Sequence, residues 1–193
     1  MAESARERLL EATLACVGRY GLAKTTLEDA AREAGVARAT VYRHFPGGRD
    51  QLISEVITWE VGQFFARLSA AVDDTPDLAR RLERGLVFAH RAIREHEVLQ
   101  KVLDTEPERL LPQLTVSAPL FVGVVRGYLL ALLESERLRP GLDAEEAAEY
   151  LARMVVSFMT SPGRWDLDDP GQVRRLVATH FLAGVLAGPH ARE

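Results

Sequence analysis

The sequence predicts an all-α protein, and three observations carry that reading. Apolar residues recur at three- and four-residue spacing from end to end, sustained two-residue alternation does not appear, and Pro and Gly fall where the periodic runs stop. About nine helices result. The first three are short and form a head over residues 1–50, and the remainder forms a larger helical body over 51–193. With 47% apolar and 27% charged residues in a chain of 193, a folded and soluble protein is expected.

A first helix carries Leu10, Leu14 and Val17 on one face, and Gly21 just after Tyr20 supplies its stop. A second begins at Thr25 or Thr26. Each has an acid three places on, Glu28 and Asp29 respectively, the arrangement that satisfies the orphan amides of a helix start. Leu27, Ala30, Ala31 and Ala34 make its apolar face, and Gly35 ends it. Val41 and Phe45 form the face of a third short helix, closed by Pro46-Gly47-Gly48. Further helices are expected over 50–72, 76–96, 98–104, 119–138, 143–159 and 170–187, and residues 161–166 form the least helical stretch of the C-terminal half.

Several function classes are disfavoured. Charges interrupt the N-terminal segment before a signal-like apolar run can form, and a single cysteine, Cys16, permits no internal disulfide; a cytoplasmic location is expected. The stretch 110–133 holds one charge, Arg126, and is long enough for a membrane span, but Pro112 and Pro119 are expected to break it, leaving a buried helix from about Pro119 and no membrane partner. No nucleophile elbow and no Gly-rich phosphate loop appear. His90 and His96 are six residues apart and face different ways on one helix, so no metal and no cofactor are expected.

Ala31, Gly35 and Val41 have a spacing with a steric cause at each position. A small Ala31 lets two helices approach, Gly35 can turn the chain in a left-handed conformation, and Val41 locks the second helix on the first. This describes a helix-turn-helix, although an ordinary helical hairpin satisfies the same three positions. Charge adds to the first reading: the chain carries a formal charge of -4, yet residues 34–49 hold Arg38, Arg43, His44 and Arg49 and no acid.

Thr25-Thr26-Leu27 through Ala31, Gly35-Val36, and Thr40-Val41-Tyr42-Arg43-His44-Phe45 resemble the N-terminal domain of the TetR family of bacterial regulators, over roughly residues 5–55. The resemblance implies a three-helix DNA head, an effector pocket in the body, and a homodimer made mainly by the last two long helices. Two departures stand out. Ala37 replaces the Ser that commonly caps the recognition helix, and the connection from Phe45 to Leu52 is one residue longer, with Arg49 in the place of a Lys.

Arg38, at the exposed start of the recognition helix, can donate two hydrogen bonds to a guanine. Ala39 and Thr40 are short enough to let the helix sit deep, and Arg43 can reach a base or a phosphate. Tyr42, His44, Arg49 and the Thr26 hydroxyl resemble the family's phosphate clamps; Tyr42 packing on the first helix, and His44 as a solvated surface residue, remain open alternatives.

In the body, Trp59, Phe64, Phe88, Phe121, Tyr128 and Trp165 are candidate pocket residues, though most aromatics at helical spacing are core. Leu151, Met154 and Phe158 stripe one late helix and Val173, Val177, Phe181 and Gly184 the last; these stripes can pair with a symmetry mate or pack within one subunit. A dimer would let two recognition helices read a palindrome. The expected function is a DNA-binding transcriptional regulator, a repressor released from double-stranded operator DNA by a small apolar or amphipathic effector. The rival is a helical carrier or enzyme for an apolar molecule, which would have no need to prefer one duplex over another.

Overall fold

The computed structural model describes residues 4–75 and 77–187. Among these there are nine α-helices and no strand longer than a single bridge. The chain divides into two compact units, one of residues 4–65 with 93–117 and the other of 66–92 with 118–187.

In the first unit, α1 (Ala5–Tyr20) starts at a capping box in which the Ser4 hydroxyl accepts from the Glu7 amide at 3.1 Å and the Glu7 carboxylate accepts from the Ser4 amide at 2.9 Å. Gly21, at φ 91°, ends it with its amide on the Val17 carbonyl. Thr26, rather than Thr25, caps α2 (Leu27–Glu33), because Thr25 is buried and donates its hydroxyl to the Gly21 carbonyl at 2.8 Å. Gly35 follows at φ 64°, and the Val36 amide bonds the Ala31 carbonyl at 3.0 Å, giving the tight turn into α3 (Arg38–His44). Leu9, Leu10, Ala30, Val41, Phe45 and Leu52 form the core beneath these helices, with Leu52 supplied by α4 (Gly48–Val72). Beside it a smaller cluster joins Val17, Leu22 and Ile53 to Val102 and Leu110 of α6 (Glu97–Thr105) and the early part of α7 (Pro107–Leu133). His96 acts as the N-cap of α6, its Nδ1 accepting from the Leu99 amide at 3.1 Å. Buried Cys16 is a core thiol, and burial pushes its pKa up.

The second unit packs α5 (Leu78–Arg94), α8 (Ala144–Thr160), α9 (Pro170–Leu176) and the later part of α7 around Leu82, Leu86, Leu133, Leu151, Leu176 and Phe181. Asp77 caps α5 by accepting from the Arg80 amide at 2.8 Å; Pro76, where this helix was expected to begin, lies outside the described residues.

Two expectations are corrected. Pro112 and Pro119 do not break the helix at 110–133: α7 runs through both, each proline costing it one backbone donor without ending it. Nor is it mainly buried, since only 11% of its most apolar window is inside and Val116 is 79% exposed; by length and composition it could cross a membrane. The last helix is also shorter than expected. After α9 the chain widens into a π-type turn over Val177–Phe181, closed by the Leu182 amide on the Val177 carbonyl at 2.9 Å. It then runs antiparallel to residues 137–139, with the Arg139 amide on the Val185 carbonyl at 3.0 Å and the Ala187 amide on the Arg137 carbonyl at 2.9 Å.

Candidate nucleic-acid interface

The third helix has two faces of opposite character. Val41 and Phe45 are 0% exposed and anchor it in the core, whereas Arg38, Ala39, Tyr42 and Arg43 lie in solvent. A helix held by one face with cations on the other is the shape a major groove admits. Its start carries no side-chain cap, as expected from Ala37; the Thr40 amide closes instead on the Ala37 carbonyl at 2.8 Å.

At the free edge, the Arg38 guanidinium pairs with the Glu28 carboxylate at 2.9 Å and donates to the Tyr42 hydroxyl at 3.1 Å, with its carbon 5.4 Å from the Tyr42 ring centre. The Tyr42 hydroxyl and Glu28 together raise its pKa and hold it firmly charged. Arg38 is therefore held across the turn between α2 and α3. Glu28 was legible only as a first-turn acid; its nearness to Arg38 depends on the fold of that turn.

Residues 9–56 match the family model described as bacterial regulatory proteins, tetR family. The head is of the TetR type. Over 183 residues it is 28% identical to an uncharacterized HTH-type transcriptional regulator of Mycobacterium tuberculosis (strain ATCC 25618 / H37Rv), covering 93% of each chain. Over 110 residues it is 30% identical to the HTH-type transcriptional repressor KstR2 of the same strain, covering 57% of this chain and 54% of that one. Among solved structures, the TetR family repressor AlkX from Dietzia sp. strain DQ12-45-1b, implicated in biodegradation of n-alkanes, has a similar fold, with a TM-score of 0.66, 21% identity, and coverage of 92% and 95%. The TetR-type head and these relatives support a DNA-binding transcriptional regulator.

Within this TetR-type head, two of the expected phosphate contacts have other employment. Arg49 turns inward: its Nε donates to the Thr25 carbonyl at 2.8 Å, and its terminal nitrogen donates to the Leu22 carbonyl. The extra residue after Phe45 belongs to the start of α4, which begins at Gly48 and places Arg49 against the α1–α2 turn. Thr26 donates its hydroxyl to Asp29 at 2.6 Å and accepts from the Asp29 amide at 3.1 Å, so a phosphate would have to compete with its own cap. Thr40 and His44 are half-buried, and the His44 ring lies 6.3 Å from that of Phe45.

The body candidates are dispersed. Trp59 packs against the head core, and the Phe64 ring meets Phe65 edge-on at 5.3 Å, both in the first unit. In the second unit, Phe88 and Phe121 are half-buried, the Tyr128 hydroxyl meets Arg81 at 3.2 Å, and Trp165 meets the His180 ring at 5.2 Å and Arg175 at 5.1 Å. A concavity of about 610 Å³ in that unit is lined by Asp77, Ala79, Arg80, Glu83, Arg84 and Arg174 and contains none of these aromatics. Its arginines pair with Asp77, Asp74 and Glu83, leaving a charge-balanced surface. Among the described residues no three His, Cys, Asp or Glu side chains cluster as metal ligands would.

Of the residues expected to pair subunits, Leu151, Val173, Val177 and Phe181 are at most 1% exposed within the single chain. At these four positions the stripe serves the subunit's own core, because the short α9 and its π-type turn lay that face on α8. Met154 and Phe158 are half-buried, and Gly184 is exposed.

Proposed function

We propose that this regulator is a repressor that binds a palindromic operator as a homodimer and is released by a small apolar or amphipathic effector held in the body. The observation that carries the DNA-reading part is α3, fixed by Val41 and Phe45 and presenting Arg38, Tyr42 and Arg43 outward. Arg38 reads a guanine, Ala39 and Thr40 allow close approach, and Tyr42, Arg43 and His44 meet phosphate or base edges. Repression is supported by the likeness to the repressor KstR2, and an apolar effector by the many half-buried body aromatics. Phe88, Phe121, Tyr128 and Trp165, all in the second unit, remain its proposed contacts, with the head ending near residue 50 and Trp59 and Phe64 left to the packing of the first unit. Pairing is assigned to the outer flank of α8, where Tyr150, Met154 and Phe158 follow at four-residue spacing, together with Gly184. The protein acts by binding alone, in the cytoplasm.

Selection of duplexes from a random pool with the purified chain tests this reading. An inverted repeat with half-site centres about 34 Å apart is expected, and apolar compounds should then release the selected duplex. A pool that shows no enrichment after repeated rounds sinks the DNA-reading proposal.

A further inference from the structure

We propose that Glu106 is a positioning residue for DNA binding, holding the turn between α1 and α2 and, through it, the helix on which the recognition helix rests. This depends on the DNA-reading proposal above.

Glu106 closes α6, and its carboxylate reaches across 84 residues of sequence to accept from the Leu22 amide at 2.8 Å through Oε1, while Oε2 accepts from the Ala23 amide at 2.7 Å. These two donors follow the end of α1, where no helix carbonyl is in register for them. The Glu106 side chain is only 16% exposed, with Arg109 Nε 3.8 Å away. Hydrogen bonds to an ionised carboxylate are roughly twice as strong as neutral ones.

Three further features fit this grip. Gly21 lacks a Cβ, and one built there would fall on Oε1 of Glu106, inside any van der Waals distance. Lys101, one turn earlier on α6, donates from Nζ to the Gly18 carbonyl at 2.6 Å, seating α6 on the negative end of α1. From the other side, Arg49 takes the carbonyls of Leu22 and Thr25. The turn thus has its donors on an anion and its acceptors on a cation. Thr26, the cap of α2, is the next residue, and α2 carries the Ala31 carbonyl that receives Val36 at the entrance to α3. Loosening the turn therefore tilts α2 and α3 together.

Glu106→Gln keeps one acceptor oxygen and Glu106→Ala keeps none, so the two variants form a graded series. With the full chain and the duplex selected by the wild-type protein, amide exchange at Leu22 and Ala23 should quicken roughly threefold in the first variant and tenfold or more in the second. Duplex affinity, measured below the melting transition of each variant, should fall in the same order and by similar factors, with base preference retained. Faster exchange with unchanged affinity would reduce Glu106 to a stabilising residue, and unchanged exchange would remove the grip itself; either result overturns the proposal. If Glu106→Ala does not fold, the Glu106→Gln comparison decides alone. Failure of the wild type to select any duplex overturns the DNA-reading proposal instead, and is told apart because it involves no variant.

Discussion

Arg49 donates from Nε to the main-chain carbonyl of Thr25 at 2.8 Å, so a cation expected at the DNA backbone is turned inward onto the turn that starts α2. Arg49→Ala should therefore act on the fold before it acts on DNA. Losing charge-assisted bonds to part-buried carbonyls is expected to cost about 1.5–3 kcal/mol of stability. A thermal melt and the salt dependence of duplex binding separate the two roles: the melting temperature should drop while the slope of log affinity against log salt stays unchanged. A slope lowered by about one per half-site at constant stability would return Arg49 to the phosphate.

Arg38 must leave Glu28 and Tyr42 before it can meet a base. Arg38→Ala should relax preference at one position per half-site, with discrimination falling by about 1–3 kcal/mol. Glu28→Gln should have the opposite sign. Removing an exposed pair worth about 0.2–1 kcal/mol frees the guanidinium, and duplex affinity should rise by a small factor. Titration of both variants against the selected duplex and its single-base changes checks the pair.

Phe181 is fully buried, its ring 5.5 Å from that of Phe158. Phe181→Ala should destabilise the second unit by about 3–5 kcal/mol through the lost burial and the cavity left behind. Denaturant unfolding followed together with sedimentation should show a lowered midpoint. Separation into folded monomers of unchanged stability would place Phe181 on a subunit interface instead.

Asp29 accepts from the Thr26 hydroxyl and amide and lies beside Arg32, and these hold its carboxyl below the ordinary aspartate value. A depressed folded pKa means that the unfolded chain takes up the proton first as pH falls. The contribution is complete above about pH 4 and is lost below it, as pH falls through the folded pKa. Acid unfolding of the wild type should steepen in that window, and Asp29→Asn should flatten it. Equal acid curves for the two proteins would contradict the arrangement.

The head was legible because its determinants are local: the Thr26–Asp29 cap, the Gly35 turn, and the Val41 and Phe45 anchors lie within about twenty residues. Glu106 was not, since nothing around it in the chain announces that Leu22 and Ala23 will need an acceptor. Pro112 and Pro119 misled because a proline removes one donor, while α7 supplies enough apolar helix-forming residues on either side to continue. The stripe of Val173, Val177 and Phe181 has the same period whether it faces a partner or its own subunit, and only the shortness of α9 decides.

The grip of Glu106 on Leu22 and Ala23 also bears on the order in which the chain can mature during synthesis. When Arg49 has been added, the turn gains a donor for its carbonyls, but its two amides wait for a carboxylate 57 residues downstream. At about 5–20 residues per second, that interval is roughly 3–11 s. Through it the nascent head has Phe45 and Leu9 to collapse around but lacks Val102 and Leu110 against Val17. A recognition domain cut at residue 50 lacks that carboxylate together with Val102 and Leu110, all of which fall within the compact unit of residues 4–65 with 93–117.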